Sequence, residues 1–420
     1  MTNSKEINYT GPFIIMVILF FFVGFFTNIN QQFQEPLKEA LLSSAGDIKN
    51  TLMTFITFSW FLAYPAFGGI GANWVTKLGY KGTLVRALLV MIIGLLIFEA
   101  SVLLQVYSPV SINFGPSIEV PVAFFIFLIG SFIVGGAVTV MQVVINPFLV
   151  NCNVKGTSDV QRQSIGGASN SVATTIGPLF VAYVIFGGKS AQIDSLIVPF
   201  IVLAIVIAVL AAIVKRLDLP TIKSATAEEG EVLPRSIWSF RHLVLGVVAI
   251  FFYVGVEVAV GTNIVSFAKQ LGGEFAEKAA LMASLYWGGM LVGRLIGSFI
   301  SKVPAKIQLT FTSVASAVLL IAGMALENPW LLVGVGLFHS IMWPAIFSLA
   351  VKGLGKYASL GSGAIMIGVV GGGIIPLVQG VFADVIGGWD LTWTLIAACE
   401  VFLLYYAVSG STPRKQDIQE

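Results

Sequence analysis

The sequence predicts an all-α membrane protein of twelve transmembrane helices arranged as two pseudo-symmetric six-helix halves. Composition is the first reason. Hydrophobic residues make up 57% of the chain and charged residues 10%, far from the averages of soluble domains. The second reason is the spacing of apolar runs: twelve follow one another, each close to the ~20 residues that cross a hydrocarbon core. Internal repetition is the third. Pro147 is followed eight residues later by Lys155-Gly156, and Pro344 eight residues later by Lys352-Gly353. Pro178-Leu179 and Gly187-Gly188 are echoed by Pro376-Leu377 and Gly387-Gly388, and Phe20-Phe21-Phe22-Val23-Gly24 by Phe251-Phe252-Tyr253-Val254-Gly255. Two related membrane halves are the signature of carriers that rock about a central site.

The first half holds the runs 12–27, 52–70, 84–104, 120–150, 164–186 and 196–214; the second holds 243–267, 279–300, 309–326, 330–351, 358–386 and 391–408. Lipid offers no partner to a free backbone N–H or C=O, so each run closes its own hydrogen bonds as a helix. The strict alternation of an outer-membrane barrel is absent. The opening run is expected to be a retained span, because no small-residue cleavage site follows it and it leads into the polar residues 31–35. Glycine groups in the fourth, fifth, eighth and eleventh runs (Gly135-Gly136, Gly166-Gly167, Gly288-Gly289 and Gly371-Gly372-Gly373) allow close helix packing, and such weak points recur in both halves. Residues 215–241, the longest polar stretch, with Glu228-Glu229-Gly230-Glu231, read as a cytoplasmic linker between an N-terminal half, 1–214, and a C-terminal half, 242–420.

Basic residues set the orientation. With both termini cytoplasmic, 17 of the 23 Lys and Arg lie on the inner side. Only Lys38, Lys49, Lys189, Lys269 and Lys278 lie outside, and Arg294 is within a span. Such asymmetry fits a multi-pass protein of a bacterial cytoplasmic (inner) membrane. Two histidines, two cysteines and no clustered carboxylates give hydrolysis or metal chemistry little to work with. No filter loop or charged ring suggests a channel. The chain therefore reads as a carrier and not an enzyme. Its partners are the lipid bilayer and a small solute, with no nucleic acid, and it is expected to act as a monomer.

The motifs are specific. The chain resembles the major facilitator superfamily and, within it, the fucose–proton symporter and glucose/galactose transporter family. Asn146-Pro147-Phe148 closes the fourth helix as in that family, and Arg162 followed by Asn170-Ser171 matches its fifth-helix pattern. Tyr253-Val254-Gly255, Gly293-Arg294, Pro344-Ala345-Ile346-Phe347-Ser348-Leu349 and Gly371-Gly372-Gly373-Ile374 match the seventh, eighth, tenth and eleventh helices. The loop after the second helix, Gly71-Ala72-Asn73-Trp74 to Lys77 and Gly79, lacks the superfamily's usual acidic residue. The resemblance implies the major facilitator fold, alternating access, and a monosaccharide substrate.

Departures from the family pattern are informative. The family carries a carboxylate near the outer end of the first helix, after Asn-Leu-Asn. Here Thr27-Asn28-Ile29-Asn30-Gln31-Gln32 puts Gln31 at that position, or Gln32 when Pro36 anchors the alignment. A second family carboxylate lies four residues before the Asn-Pro, where this chain has Gln142. Amides do not titrate, so the symporter's proton mechanism cannot operate unchanged. They do suit a neutral hexose or deoxyhexose, whose hydroxyls both donate and accept. Candidate sugar-binding residues are therefore Asn28, Gln31, Gln32, Gln142, Asn146 and Asn170, with Trp287 and Trp343 as stacking surfaces; helix-to-helix hydrogen bonding is the competing role for the amides. Trp60 is a further aromatic within a span.

Four ionisable residues lie inside spans, where each is costly. Glu257, past the midplane of the seventh helix, is the candidate relocated coupling group, and His339 a candidate to share a proton with it. Thr262 and Asn263 offer oxygens to Na⁺ as the alternative ion. Arg294 reads as a gating or structural pair, with an acidic sugar anchored by it as the rival substrate. Glu400 has no evident role in the sequence. The chain needs no cofactor; H⁺ or Na⁺ is the possible coupling ion, and uncoupled uniport and a non-transporting sugar sensor remain the alternatives.

Overall fold

The computed structural model describes residues 9–115, 118–152, 154–157, 159–217, 219, 235–299 and 303–414. The first six crossings are built from α1 (Thr10–Gln32), the short α2 (Gln34–Leu41), α3 (Lys49–Tyr107), α4 (Val122–Asn151), α5 (Asp159–Leu179) and α6 (Ile197–Arg216). The second six are built from α7 (Arg241–Leu271), the short α8 (Gly273–Glu277), α9 (Ala279–Phe299), α10 (Ala305–Ala325), α11 (Pro329–His339), α12 (Met342–Val351), α13 (Ala358–Ile367), α14 (Gly371–Ile386) and α15 (Trp393–Tyr405). These helices account for all twelve apolar runs. The second and third form one element, α3, which turns at Gly79, where φ is +66°. The tenth run is split: α11 stops at His339 and α12 starts at Met342. A two-stranded hairpin, Ser111–Asn113 with Glu119–Pro121, follows α3 and was not legible as strand. Most of the expected linker lies outside the described residues.

Peripheral helices turn one face to protein and one to lipid, whereas α7 is covered by protein along nearly its whole length. In α6, Phe200, Leu203 and Ile207 are buried, while Val198, Val202, Ile205 and Val209 are exposed. In a bilayer those exposed side chains meet hydrocarbon, so solvation by lipid replaces the hydrophobic stripe of a soluble helix. Interior packing is aromatic. Phe98, Phe127 and Phe200 meet at centroid distances of 4.3–6.2 Å, joining α3, α4 and α6.

The sequence repeat is a structural repeat. Lys155-Gly156 and Lys352-Gly353 follow the fourth and tenth crossings, and both glycines take positive φ, +78° and +75°, as residues without a Cβ readily do. Gly24 and Gly255 occupy equivalent places too. A Cβ on Gly24 would lie 2.6 Å from the Asn170 carbonyl oxygen on α5, and one on Gly255 would lie 2.3 Å from Ile375 and 3.1 Å from the Gly371 carbonyl oxygen on α14. First crossing against fifth, and seventh against eleventh, is therefore the same contact made twice.

Gly24→Ala and Gly255→Ala should each lower stability by about 1–3 kcal/mol through overpacking. Gly11→Ala, with nothing within 4 Å of its added carbon, should be neutral or stabilising. Thermal unfolding read by a thiol dye on the buried Cys152 and Cys399 measures all three.

Candidate functional site

A cavity of about 880 Å³ lies between the two sets of six crossings. One wall is polar and uncharged. It carries Thr27, Asn28 and Gln31 from α1, Tyr64 from α3, Gln142 and Asn146 from α4, and Gln163, Asn170 and Thr174 from α5. The facing wall carries Tyr253 and Glu257 from α7, Trp287 and Arg294 from α9, and Trp343 and Phe347 from α12. Helical spacing explains the first wall. Asn28 and Gln31 are three apart and Gln142 and Asn146 four apart, so each pair shares a face.

Most of the amides are partly engaged. The Gln142 side-chain N–H donates to the Tyr64 hydroxyl at 2.8 Å, and Asn170 donates to the Phe20 carbonyl at 3.1 Å. Gln31 accepts from the Thr262 hydroxyl at 3.4 Å, a weak bond. Asn28 differs. It is 1% exposed, lines the cavity, and neither its oxygen nor its nitrogen has a partner. The Trp287 indole N–H, also on the cavity wall, is likewise buried without a partner. Gln163 is a third such residue at this cavity, through its side-chain oxygen, and unsatisfied buried polar groups are costly. Trp343 lines the cavity beside Tyr253, with centroids 6.3 Å apart.

Charge is confined to the C-terminal wall. Arg294 donates to the Ser171 hydroxyl on α5 at 2.6 Å. Glu257 lines the same cavity, and no ion pair joins it to Arg294. One carboxylate and one guanidinium thus face the space without neutralising each other by contact.

Four of the expected residues lie elsewhere. Gln32 is turned away from the central cavity; its amide donates to the Gly261 carbonyl at 3.1 Å and borders a separate pocket of about 210 Å³. His339 is fully buried behind the wall, hydrogen-bonded to Glu400 at 2.7 Å and to the Tyr286 hydroxyl at 2.7 Å. Trp60 is packed inside the N-terminal set with 0% exposure. Asn263 is tied to Gln379 at 2.8 Å. Tyr64, Gln163 and Thr174 line the cavity but were missed; Gln163 sits next to the Arg162 of a recognised motif, and Tyr64 gave no signal. Glu400 acquires a partner that no sequence spacing could show.

Contacts between the halves gather at the cavity end away from the termini. The Asp384 carboxylate, on α14, accepts from the backbone N–H of Asn50 at 3.1 Å and of Thr51 at 2.6 Å, capping the first turn of α3 from the other half. Ser266 on α7 donates to Glu35 at 2.6 Å, Lys269 pairs with Glu39, and Ser284 on α9 donates to the Thr175 carbonyl at 2.6 Å. This end is closed.

A family description, Major Facilitator Superfamily, matches residues 9–376. The chain is 32% identical to a Brucella abortus protein named glucose/galactose transporter, covering 97% of this chain and 96% of that one. It is 24% identical to the Escherichia coli L-fucose-proton symporter, over 95% and 93% of the two chains. Among solved structures, the inward-open xylose transporter of E. coli superposes with a TM-score of 0.71 at 12% identity, covering 97% of each chain.

Asp384→Asn should weaken the closed end by about 1–2 kcal/mol, the worth of a helix cap. A cysteine at Val258, which is 3% exposed and lines the cavity, reports the change. In sealed vesicles, a membrane-impermeant thiol reagent on the Asn50 side should label Val258→Cys about 5- to 30-fold faster when Asp384→Asn is present.

Proposed function

The chain belongs to the major facilitator superfamily, in the branch of the fucose–proton symporters and glucose/galactose transporters, and from this membership we propose that it carries a neutral monosaccharide across the bacterial inner membrane by alternating access. The carrying observation is the unpartnered Asn28 amide on an amide-rich cavity wall. A primary amide presents a donor and an acceptor side by side. Two neighbouring sugar hydroxyls supply the complementary pair. Gln31, Gln142, Asn146 and Asn170 offer the same chemistry around it, and Trp287 and Trp343 give the pyranose ring apolar surface plus one indole donor. The site rewards a hydroxyl-bearing ligand and leaves its own groups unpaired without one, which is how a polar pocket rejects apolar analogues.

Transport then needs only the exchange of closed ends. In the structure the end formed by Asp384, Asn50, Glu35 and Ser266 is shut. Sugar loading and release alternate as this end opens and the other closes around the same cavity. The positive-inside pattern supports cytoplasmic termini, which makes the shut end the periplasmic one.

Coupling is assigned to the C-terminal wall. Where the resemblance implies carboxylates this chain has Gln31, or Gln32, and Gln142, so on this reading a cation acts elsewhere. Glu257 is the carboxylate among the cavity-lining residues, and we assign it the coupling role in H⁺ or Na⁺ symport. The second reading, an acidic sugar, rests on Arg294, which reaches the cavity with a hydroxyl as its partner and no carboxylate. Glu257 opposes it: the wall offers one negative and one positive group, and an anionic sugar would gain from one what it loses to the other.

Three outcomes test this. In a binding panel of glucose, galactose, mannose, fucose, a uronate and sialic acid, the neutral hexoses should bind; affinity for the acidic members alone overturns the reading. Asn28→Ala should weaken binding by about 1–3 kcal/mol, roughly 5- to 150-fold, yet leave the thermal midpoint unchanged or raised, because it removes a buried amide that has no partner. Glu257→Gln should abolish sugar accumulation driven by a pH or Na⁺ gradient in proteoliposomes while counterflow of labelled sugar persists. A wild type that exchanges sugar but never accumulates it is a uniporter.

A further inference from the structure

Glu400 and His339 are both fully buried, on α15 and α11, and neither lines the cavity. Their contacts form a chain. Glu400 Oε1 lies 2.7 Å from His339 Nε2, His339 Nδ1 lies 2.7 Å from the Tyr286 hydroxyl, and that hydroxyl lies 3.0 Å from the Glu257 carbonyl oxygen. The second Glu400 oxygen has no partner.

Hydrogen counting gives this chain two consistent fillings. In one, Tyr286 donates to the Glu257 carbonyl, His339 Nδ1–H donates to Tyr286, and a single proton is shared between Nε2 and Oε1. The pair is then neutral overall. In the other, Tyr286 turns its hydrogen to Nδ1 and His339 Nε2–H donates to a Glu400 carboxylate, leaving one net negative charge. Heavy atoms need not move between the two; only the Tyr286 hydroxyl rotates. The groups therefore accept either proton count in one geometry.

We propose that the Glu400–His339 pair is a proton-binding site that loads and unloads during the transport cycle, with Glu257 as its port to the cavity; this rests on the coupled-symport reading above. The Tyr253 and Tyr286 hydroxyls stand between pair and port. Tyr253 donates to the His339 carbonyl at 3.0 Å and lines the cavity with Glu257. The ionisable groups facing the pair are Tyr253 and Glu257 from α7, Tyr286 and Arg294 from α9, and Cys399 beside Glu400 on α15. α10 contributes only Lys306, in its first turn. Arg294 is held at Ser171, so among the described residues no Lys or Arg forms an ion pair with Glu400. An uncompensated carboxylate at this depth is strongly disfavoured. Unloading consequently requires water to reach the pair. The structure supplies a place for that opening: His339 is the last residue of α11, and the helix is interrupted at Ser340–Ile341 before α12 begins. The net event is transfer of one proton from water on one side to water on the other, with only N–H and O–H bonds changing.

The first test needs no sugar. The infrared difference spectrum between wild type and Glu400→Gln, both in lipid, should contain a protonated-carboxyl C=O stretch that is lost with Glu400, still present in Glu257→Gln, and shifted in His339→Asn. No such band in the wild type means a plain ion pair and overturns the proposal. The second test is transport in proteoliposomes with labelled D-glucose and D-galactose. Under a one-unit pH gradient the wild type should accumulate sugar up to about tenfold for one proton per sugar. In Glu400→Gln the ratio should fall to about one while counterflow continues. Accumulation at the wild-type ratio in Glu400→Gln overturns the site; so does a wild type with counterflow but no pH-driven accumulation. If counterflow of both sugars is absent in the wild type, the sugar reading fails and the infrared band alone decides the pair. Should Glu400→Gln not fold, His339→Asn and Tyr286→Phe carry the same transport prediction.

Discussion

Hydrocarbon provides no hydrogen-bond partner, and every feature of this chain follows from that. Backbone groups close on themselves as helices. Side-chain polar groups gather where another crossing or an aqueous cavity can receive them. Lipid-facing positions become uniformly apolar, as Val198, Val202 and Ile205 show on α6. Much of what remains polar in the interior is bonded between crossings, and a smaller set at the cavity has no protein partner. Asn30 with Ser131, Gln34 with Thr57 and Asn263 with Gln379 belong to the first kind. Asn28 and the Trp287 indole belong to the second.

The two halves share a fold but divide the chemistry. Gly24 and Gly255 make equivalent contacts, and the Lys-Gly turns recur with matching backbone geometry. Yet the cavity face of the N-terminal half is built of amides and hydroxyls, and that of the C-terminal half holds Glu257 and Arg294, with His339 and Glu400 behind them. At the first- and fourth-helix positions where the resemblance implies carboxylates this chain has amides, and ionisable groups stand across the cavity. A sugar bridging the walls would touch uncharged donors and acceptors on one side while lying beside the charged groups on the other.

Much of this was legible in the sequence, and the gaps have physical reasons. Run lengths gave all twelve crossings because hydrocarbon thickness fixes helix length. Amide spacing placed Gln142 with Asn146 on a common face because the helical period is 3.6, but it also set Gln32 with Asn28 and Gln31 on one side of the first helix, and there the structure corrects it. What spacing cannot give is the direction of a face relative to other helices. Gln31 and Gln32 are adjacent in sequence but about 100° apart around the helix, so one lines the cavity and the other meets the Gly261 carbonyl. His339 and Glu400 are 61 residues apart; each was visible as a costly charge in an apolar run, but their pairing is tertiary. The continuity of α3 through Gly79 and the interruption after His339 were likewise hidden, since both depend on packing rather than on composition.

Whether one cavity serves both sides in turn is the central claim. The most direct measurement locks the closed end. Asn50 and Asp384 face each other across the halves, with backbone nitrogen and carboxylate 3.1 Å apart. Cysteines placed at both positions and oxidised to a disulfide would hold that end shut. Counterflow of labelled glucose or galactose in proteoliposomes should stop on oxidation and return on reduction. Undiminished flux through fully cross-linked protein would show that sugar does not pass by alternating opening of this end, and would contradict the account.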